Sequence, residues 1–180
     1  MAPARTPPRT GDRAPPSRLG TVERAGPGDL AILVAHRRRM WHDIGAARAR
    51  AELDRADAAY RRWVVRETRA GRFVGFLVRG SDGRVAGSGA IWLQPVQPRP
   101  GRLARLEMPY ILSMYTEPDL RGRGVASRLV RAMVRWARER GYRRVFLHAS
   151  KAGRPVYAGL GFVEGNEMRR DLPTPRRRGR

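Results

Sequence analysis

The chain contains no cysteine, one lysine and only three histidines in 180 residues. The lack of cysteine excludes disulfides, thiolate metal ligands and a cysteine nucleophile. The three histidines are dispersed and do not have the spacing of a zinc site, so we expect no metal. No apolar run approaches the roughly 18 residues that a membrane-spanning helix needs, and we expect no membrane partner. A cytoplasmic protein is the expectation that suits these absences.

The length suits one domain with an ordinary hydrophobic core, since 41% of the residues are hydrophobic. Residues 1–20 are rich in proline and arginine and lack the apolar segment of a secretory signal. We predict a disordered basic tail over residues 1–20, a domain over residues 21–172, and a second basic tail over residues 173–180.

The formal net charge is +22, from 38 basic and 16 acidic residues. Such a charge is typical of proteins that bind polyanions, so a nucleic-acid partner is one hypothesis. Lys151 is the single lysine, and a bias this strong toward arginine is typical of GC-rich coding. We therefore do not expect nucleic acid as the partner. The basic surface instead favours an acidic, carboxylate-bearing or polyanionic substrate.

Hydrophobic periodicity predicts alternating strands and helices. The predicted strands cover residues 21–25, 73–79, 85–93, 109–116, 144–149 and 162–172. The predicted helices cover residues 30–44, 47–69, 125–140 and 153–160. This order indicates an α/β (α+β) architecture, in which residues 110–149 form a right-handed parallel crossover.

A glycine-containing turn, with the sequence RGRGVA over residues 121–126, joins a predicted strand directly to a predicted helix. Such a turn presents backbone N–H groups and a helix N-terminus to an anion. A dinucleotide fingerprint is excluded because Ser127 stands where its third glycine would be, and the next strand ends in His148 rather than in an acid. A Walker-type phosphate loop is excluded because Val125 and Ala126 replace its Lys-Ser/Thr pair.

Arg121, Gly124 and Ala126 instead match the pattern Gln/Arg-x-x-Gly-x-Gly/Ala. Thr116-Glu117-Pro118 precedes them, and the string VYAGLGF follows at residues 156–162. With these surroundings the chain resembles the GNAT superfamily of N-acetyltransferases, most strongly over residues 110–162. The resemblance implies a central mixed, splayed sheet flanked by helices. It also implies transfer of an acetyl group from acetyl-CoA to a primary amine on a small molecule or a protein.

The resemblance implies a cofactor site along the predicted strand and the turn after it. The backbone of residues 114–116 would bind pantetheine, with an N–H of Tyr115 or Thr116 polarising the acetyl carbonyl. The turn would bind pyrophosphate, helped by the side chains of Arg121 and Arg123. Ser150 would contact the cofactor or, equally, begin the next helix. The cofactor residues are thus Met114, Tyr115, Thr116, Arg121, Gly122, Arg123, Gly124, Val125, Ala126, Ser127 and Ser150.

Two residues are the expected catalytic groups. Tyr157 would protonate the departing thiolate, although it could merely pack its helix against the sheet. Glu117 would accept the amine proton, or it could be a solvated carboxylate that caps the turn. Glu107 and His148 are weaker candidates for the base. With no cysteine to acylate, the resemblance implies direct attack in a ternary complex.

The acceptor end maps to residues 37–44 and 94–102, where Trp41 and Trp92 would line a pocket or belong to the core. We expect His36 and His42 to lie on the surface. A homodimer is one expected assembly. The alternatives to catalysis are a CoA-binding sensor and a basic nucleic-acid binder with the same fold. Within enzymes, a longer acyl-CoA donor or an alcohol acceptor is the alternative.

Overall fold

The computed structural model describes residues 18–46, 49–98, 100 and 106–170. Residues 1–17 of the predicted N-terminal tail (residues 1–20) and all of the predicted C-terminal tail (residues 173–180) therefore lie outside the described residues. The elements are β1 (Leu19–Arg24), α1 (Leu30–Asp43), α2 (Arg50–Arg69), β2 (Phe73–Gly80), β3 (Val85–Pro95), β4 (Glu107–Thr116), α3 (Val125–Glu139), β5 (Phe146–Leu147) and α4 (Arg154–Ala158). None of these helices is both long and apolar enough to cross a bilayer.

The five strands form one sheet in the order β1-β2-β3-β4-β5. The first four strands are antiparallel, whereas β4 and β5 run parallel. The β4–β5 pairing covers Tyr110 with Phe146 and Ile111 with Leu147, so no described strand pairs with residues 112–116 of β4 on that side. The predicted mixed, splayed sheet flanked by helices is confirmed.

The helices cover the two faces of the sheet and bury its apolar residues. On one face α1 and α2 contribute Leu33 and Val64 to a cluster that contains Leu77 of β2. On the other face α3 buries Leu129 and Met133. The buried positions of α3 recur at helical spacing while its arginines face outward, which is how an amphipathic helix seals a sheet.

Several predicted boundaries differ from the structure. β1 begins at Leu19, inside the predicted tail, and β5 is two residues long instead of six. The predicted strand over residues 162–172 is wrong, because residues 162–170 contain no strand. Val163 and Met168 are 90% and 94% exposed, so this segment has no buried face to hold it against the sheet.

An extra residue in β4 determines which way the end of this strand faces. Ser88 pairs with Tyr115 and Ala90 pairs with Leu112, so β4 has one more residue than β3 over this interval. Ser113 has a φ of 54°, in the left-handed region that non-glycine residues seldom adopt. This backbone conformation and the extra residue together define a β-bulge in β4. Leu112 and Tyr115 consequently both face α1, although an unbroken strand would place them on opposite faces.

Candidate functional site

The turn after β4, which we call the amide loop (residues 122–127), leaves a series of backbone donors free. Gly122 and Gly124 have φ values of 74° and 78°, a conformation that glycine adopts without steric cost. In the part of the chain that the structure describes, no acceptor is paired with the N–H groups of Gly122, Gly124, Val125, Ala126 and Ser127. These donors lie at the N-terminus of α3, where the helix dipole favours an anion.

The last residues of β4 turn alternate backbone groups toward the gap beside β5. The N–H of Glu117 donates to Ala86 of β3 at 3.0 Å. Because successive residues of a strand point their N–H groups to opposite sides, the N–H of Thr116 faces away from β3 and that of Tyr115 faces β3. The gap therefore offers backbone hydrogen-bonding groups next to the amide loop.

Arg121 connects this strand end to α1. Its Nε donates to the carbonyl oxygen of Thr116 at 3.2 Å, and its guanidinium forms an ion pair with Asp43 of α1. Its own N–H donates to the carbonyl of Pro118 at 3.4 Å. Both the side chain and the N–H of Arg121 are thus engaged within the protein.

Tyr157 lies on α4 with its ring packed against Phe162, at 5.9 Å between centroids. Its hydroxyl makes no hydrogen bond to another described residue. Burial raises the pKa of Tyr157, so the phenol remains protonated at neutral pH. Ser150 accepts the N–H of Gly153 at 3.1 Å, but it is not the first residue of the helix as the sequence allowed, because Gly153 is the N-cap of α4.

Glu117 is buried within a group of basic side chains. Arg39 donates to its Oε1, and Arg84 Nη2 lies 3.7 Å from its Oε2. His36 Nε2 is 3.3 Å from Oε1, outside hydrogen-bonding geometry. Glu117 is only 8% exposed and does not have the surroundings of a solvated turn carboxylate.

His36 is fully buried, and its predicted surface position is wrong. Its Nδ1 shares a hydrogen bond of 2.9 Å with Ser88 Oγ, and its ring packs 4.8 Å from that of Tyr115. Burial lowers the pKa of His36 to about 4, with Arg39 acting in the same direction and Glu117 opposing it. The signal that was overlooked is its spacing from Leu33, which places both on the inward stripe of α1. His42 is exposed, as predicted.

A cleft of about 700 Å³ opens between α1, α2 and the first half of β4. We call it the aromatic cleft. Its wall includes both predicted tryptophans and contains Arg37, Met40, Trp41, Ala56, Ala59, Tyr60, Trp63, Trp92, Gln94, Tyr110, Ile111, Leu112, Ser113 and His148. Trp92 donates its indole N–H to the buried Glu67 at 3.1 Å, which holds the ring in place. Glu117 does not line this cleft.

His148, one of the two weaker candidates for the base, lines the aromatic cleft. It shares a hydrogen bond with the hydroxyl of Tyr110 through Nδ1, and its Nε2 is 3.4 Å from Glu167. Burial raises the pKa of Tyr110, and the charge of Glu167 adds to this effect. Glu107, the other weak candidate for the base, accepts a hydrogen bond from Tyr142 at 3.3 Å. Within residues 18–46, 49–98, 100 and 106–170, no group of three or more acidic or histidine side chains is placed to hold a metal ion.

The chain is similar to known acetyltransferases in sequence and in fold. The model of the acetyltransferase (GNAT) family matches residues 36–162. A glucosamine 6-phosphate N-acetyltransferase from Trypanosoma brucei brucei is 30% identical over 105 residues, which are 58% of this chain and 69% of that protein. A predicted acetyltransferase from Clostridium acetobutylicum, solved with acetyl-CoA, is 27% identical with a TM-score of 0.74, over 86% of this chain and 96% of that one. A GCN5-related N-acetyltransferase from Ralstonia eutropha JMP134 has the same fold, with a TM-score of 0.74 at 24% identity, over 86% and 98% of the two chains.

The buried His36 should make stability depend on pH between 6.5 and 4. An unfolded chain protonates this histidine near pH 6.5, whereas the folded protein does so only near pH 4. The unfolded state therefore binds more protons in this window, and stability falls as the pH is lowered through it. We expect His36→Gln to flatten this part of a plot of melting temperature against pH. His42→Gln is the exposed control and should leave the wild-type slope unchanged. An identical slope in His36→Gln would contradict the assignment.

Proposed function

This protein belongs to the acetyltransferase (GNAT) family, and we propose that it transfers the acetyl group of acetyl-CoA to a primary amine in a ternary complex. The observation that carries the proposal is the amide loop, in which the N–H groups of Gly122, Gly124, Val125, Ala126 and Ser127 have no acceptor among the described residues, directly beside the open end of β4. The loop provides donors for a pyrophosphate, and the strand end provides donors for an amide-containing chain. Acetyl-CoA has both groups, in this order.

The proposed cofactor contacts divide between the loop and the strand. The N–H groups of the amide loop would bind the pyrophosphate oxygens, with charge from Arg123. Backbone groups of Met114 and Thr116, which face the gap beside β5, would pair with pantetheine as a neighbouring strand would. Arg121 would act by holding the loop against Thr116 and Asp43, since these two residues already bind its side chain. Ser150 would contact the cofactor through a hydroxyl that already accepts a backbone N–H.

The proposed reaction needs two proton transfers around one displacement. The amine nitrogen attacks the acetyl carbonyl carbon, and the N–H of Thr116 stabilises the negative charge that develops on its oxygen. The C–S bond breaks, and Tyr157 donates its phenolic proton to the departing sulfur. Its raised pKa keeps that proton available across the physiological range.

The amine proton has two candidate acceptors in different places. Glu117 lies at the end of β4, next to the strand residues that would hold the acetyl group, and we propose it as the base, acting through water. His148 is the alternative, because it lines the aromatic cleft and is bonded to Tyr110 there. His148 lines the aromatic cleft and Glu117 does not, so single substitutions can separate their roles.

The acceptor would enter through the aromatic cleft, which borders β4 just before the bulge. The relative from Trypanosoma brucei brucei takes glucosamine 6-phosphate by its name, and it is 30% identical to this chain. A panel of primary amines for this protein should therefore include glucosamine 6-phosphate beside amino acids and aryl amines.

Acetyl-CoA should bind through the amide loop. A side chain at a position with positive φ costs about 1–2 kcal/mol, so we expect Gly124→Ala to weaken acetyl-CoA roughly tenfold in a calorimetric titration. Gly71→Ala is the matched control, because Gly71 has a φ of 70° in a turn outside the site. Thiol release with the amine panel then tests catalysis. If the wild-type protein bound acetyl-CoA but released no thiol with any amine of the panel, the result would favour a CoA-binding sensor over an enzyme. If it did not bind acetyl-CoA at millimolar concentration, the proposal would be overturned.

Replacing Tyr157 with phenylalanine should lower kcat by about 10²–10⁴ and leave the Kd of acetyl-CoA unchanged, since only the proton is lost. Because burial raises the pKa of this phenol, the wild-type rate should not fall on the basic side until the pH exceeds the range in which an ordinary tyrosine ionises. Tyr142→Phe is the control, as its hydroxyl donates to Glu107 elsewhere. An unchanged kcat in Tyr157→Phe would remove the residue from the acid role.

For the base, Glu117→Gln should lower kcat/KM by about 10² or more, because the amide cannot accept a proton. His148→Gln should leave kcat/KM close to the wild-type value. The reverse pattern would transfer the role to His148. Melting temperatures of both variants show whether the loss of the Arg39 contact has also damaged the fold.

A further inference from the structure

One arginine of the aromatic cleft has no ion pair and no hydrogen bond with another described residue. Arg37 lies on α1 with its Cζ 4.3 Å from the centroid of the Tyr60 ring and 5.3 Å from that of Trp41. Its Nη1 is buried and has no acceptor, and the guanidinium forms no ion pair with another described residue. Aromatic faces attract a cation, but they accept few of its five N–H donors.

The neighbouring arginines of α1 do form ion pairs, so the absence of one is particular to Arg37. Arg38 lies 2.7 Å from both Asp54 and Asp57, and Arg39 donates to Glu117. The carboxylate of Asp57 is therefore already held by Arg38. Arg37 is the member of the three that lines the cleft, and burial lowers its pKa. A desolvated guanidinium without an acceptor is costly, and a ligand that supplies the acceptor would remove this cost.

We propose that Arg37 binds a carboxylate or a phosphate of the amine acceptor, while the rings of Trp41, Trp63 and Trp92 hold a compact body between its two charged ends. The guanidinium fork matches either oxyanion with two parallel hydrogen bonds. The cleft volume of about 700 Å³ suits a small molecule. The positive charge of Arg37 would also repel polyamines, which carry no anionic group.

The position of Ser113 in the cleft indicates how the acceptor would be oriented. Ser113, in the bulge, lines the cleft and accepts a hydrogen bond from Tyr60 at 3.3 Å. The residues that follow Ser113 are those that would hold the acetyl group. An acceptor anchored at Arg37 would thus extend its amine toward the bulge. This inference rests on the proposed acetyl transfer for its chemistry, but the anion contact is measurable without turnover.

The experiment compares acceptors that differ only in the anionic group. One pair is glucosamine 6-phosphate and glucosamine, and the other is phenylalanine and phenethylamine, so the two pairs distinguish phosphate from carboxylate. We expect the wild-type protein to favour the anionic member of one pair by about 10- to 100-fold in kcat/KM, from hydrogen bonds to a charged group. Arg37→Gln should abolish this preference, chiefly by raising KM for the anionic member of the pair.

Two further variants control for charge and folding. Arg37→Lys keeps the charge without the fork and should recover only part of the preference. Arg61→Gln removes an exposed arginine of α2 outside the cleft and should behave as wild type. Equal preference in wild type and Arg37→Gln, or no preference in either pair, would overturn the proposal.

Binding read from tryptophan fluorescence separates this inference from the proposed function, since three of the four tryptophans line the cleft. Affinity for an anionic amine that depends on Arg37, without any thiol release, would support the anion site and contradict acetyl transfer. Thiol release without any effect of Arg37 on affinity or KM would support acetyl transfer and contradict the anion site.

Discussion

The bulge at Ser113 is the constraint on which the rest of the site depends. One additional residue in β4 changes the parity of the strand, so that Tyr115 and Glu117 face α1 instead of α3. The same bend coincides with the end of the β4–β5 pairing at Ile111. The opening of the sheet and the inward position of Glu117 are therefore two results of one backbone irregularity. Such a bulge is costly in a non-glycine residue and persists because the surrounding contacts, including the Tyr60 hydroxyl, hold it.

Ion pairs of arginine hold the elements around this strand. Arg84 of the β2–β3 turn binds Asp119, and Arg79 of β2 binds Asp29 before α1. Arg121 joins the turn after β4 to α1. Several of these pairs are half-exposed, and individually each contributes little to stability. Their common effect is geometric, because each one ties a loop to a helix or strand. Part of the strong basic charge is thus used inside the architecture.

Most of the correct structural predictions came from patterns of residues that are contiguous in the sequence. The amide loop was found because its glycines, the strand before it and the helix after it are contiguous in the chain. The α3 stripe was equally clear from its spacing. The bulge was not predicted, because Ser113 stands in an apolar run that reads as an unbroken strand. The burial of His36 depends on Ser88 and Tyr115, which are distant in sequence. Arg37 forms no ion pair with another described residue, and this too becomes visible only once Asp57 is seen bound to Arg38.

Helix α1 presents two adjacent stripes to two different neighbours. His36, Arg39 and Asp43 support the end of β4 and the turn that follows it, whereas Arg37 and Trp41 form the cleft wall. The stripes are about 100° apart around the helix axis, which is the rotation between consecutive residues. Substitutions on the cleft stripe can therefore change what the cleft accepts without disturbing the contacts that hold the turn. Under the proposed function, a single helix of this kind would let acceptor preference diverge within a lineage while the residues that support the end of β4 stay constant.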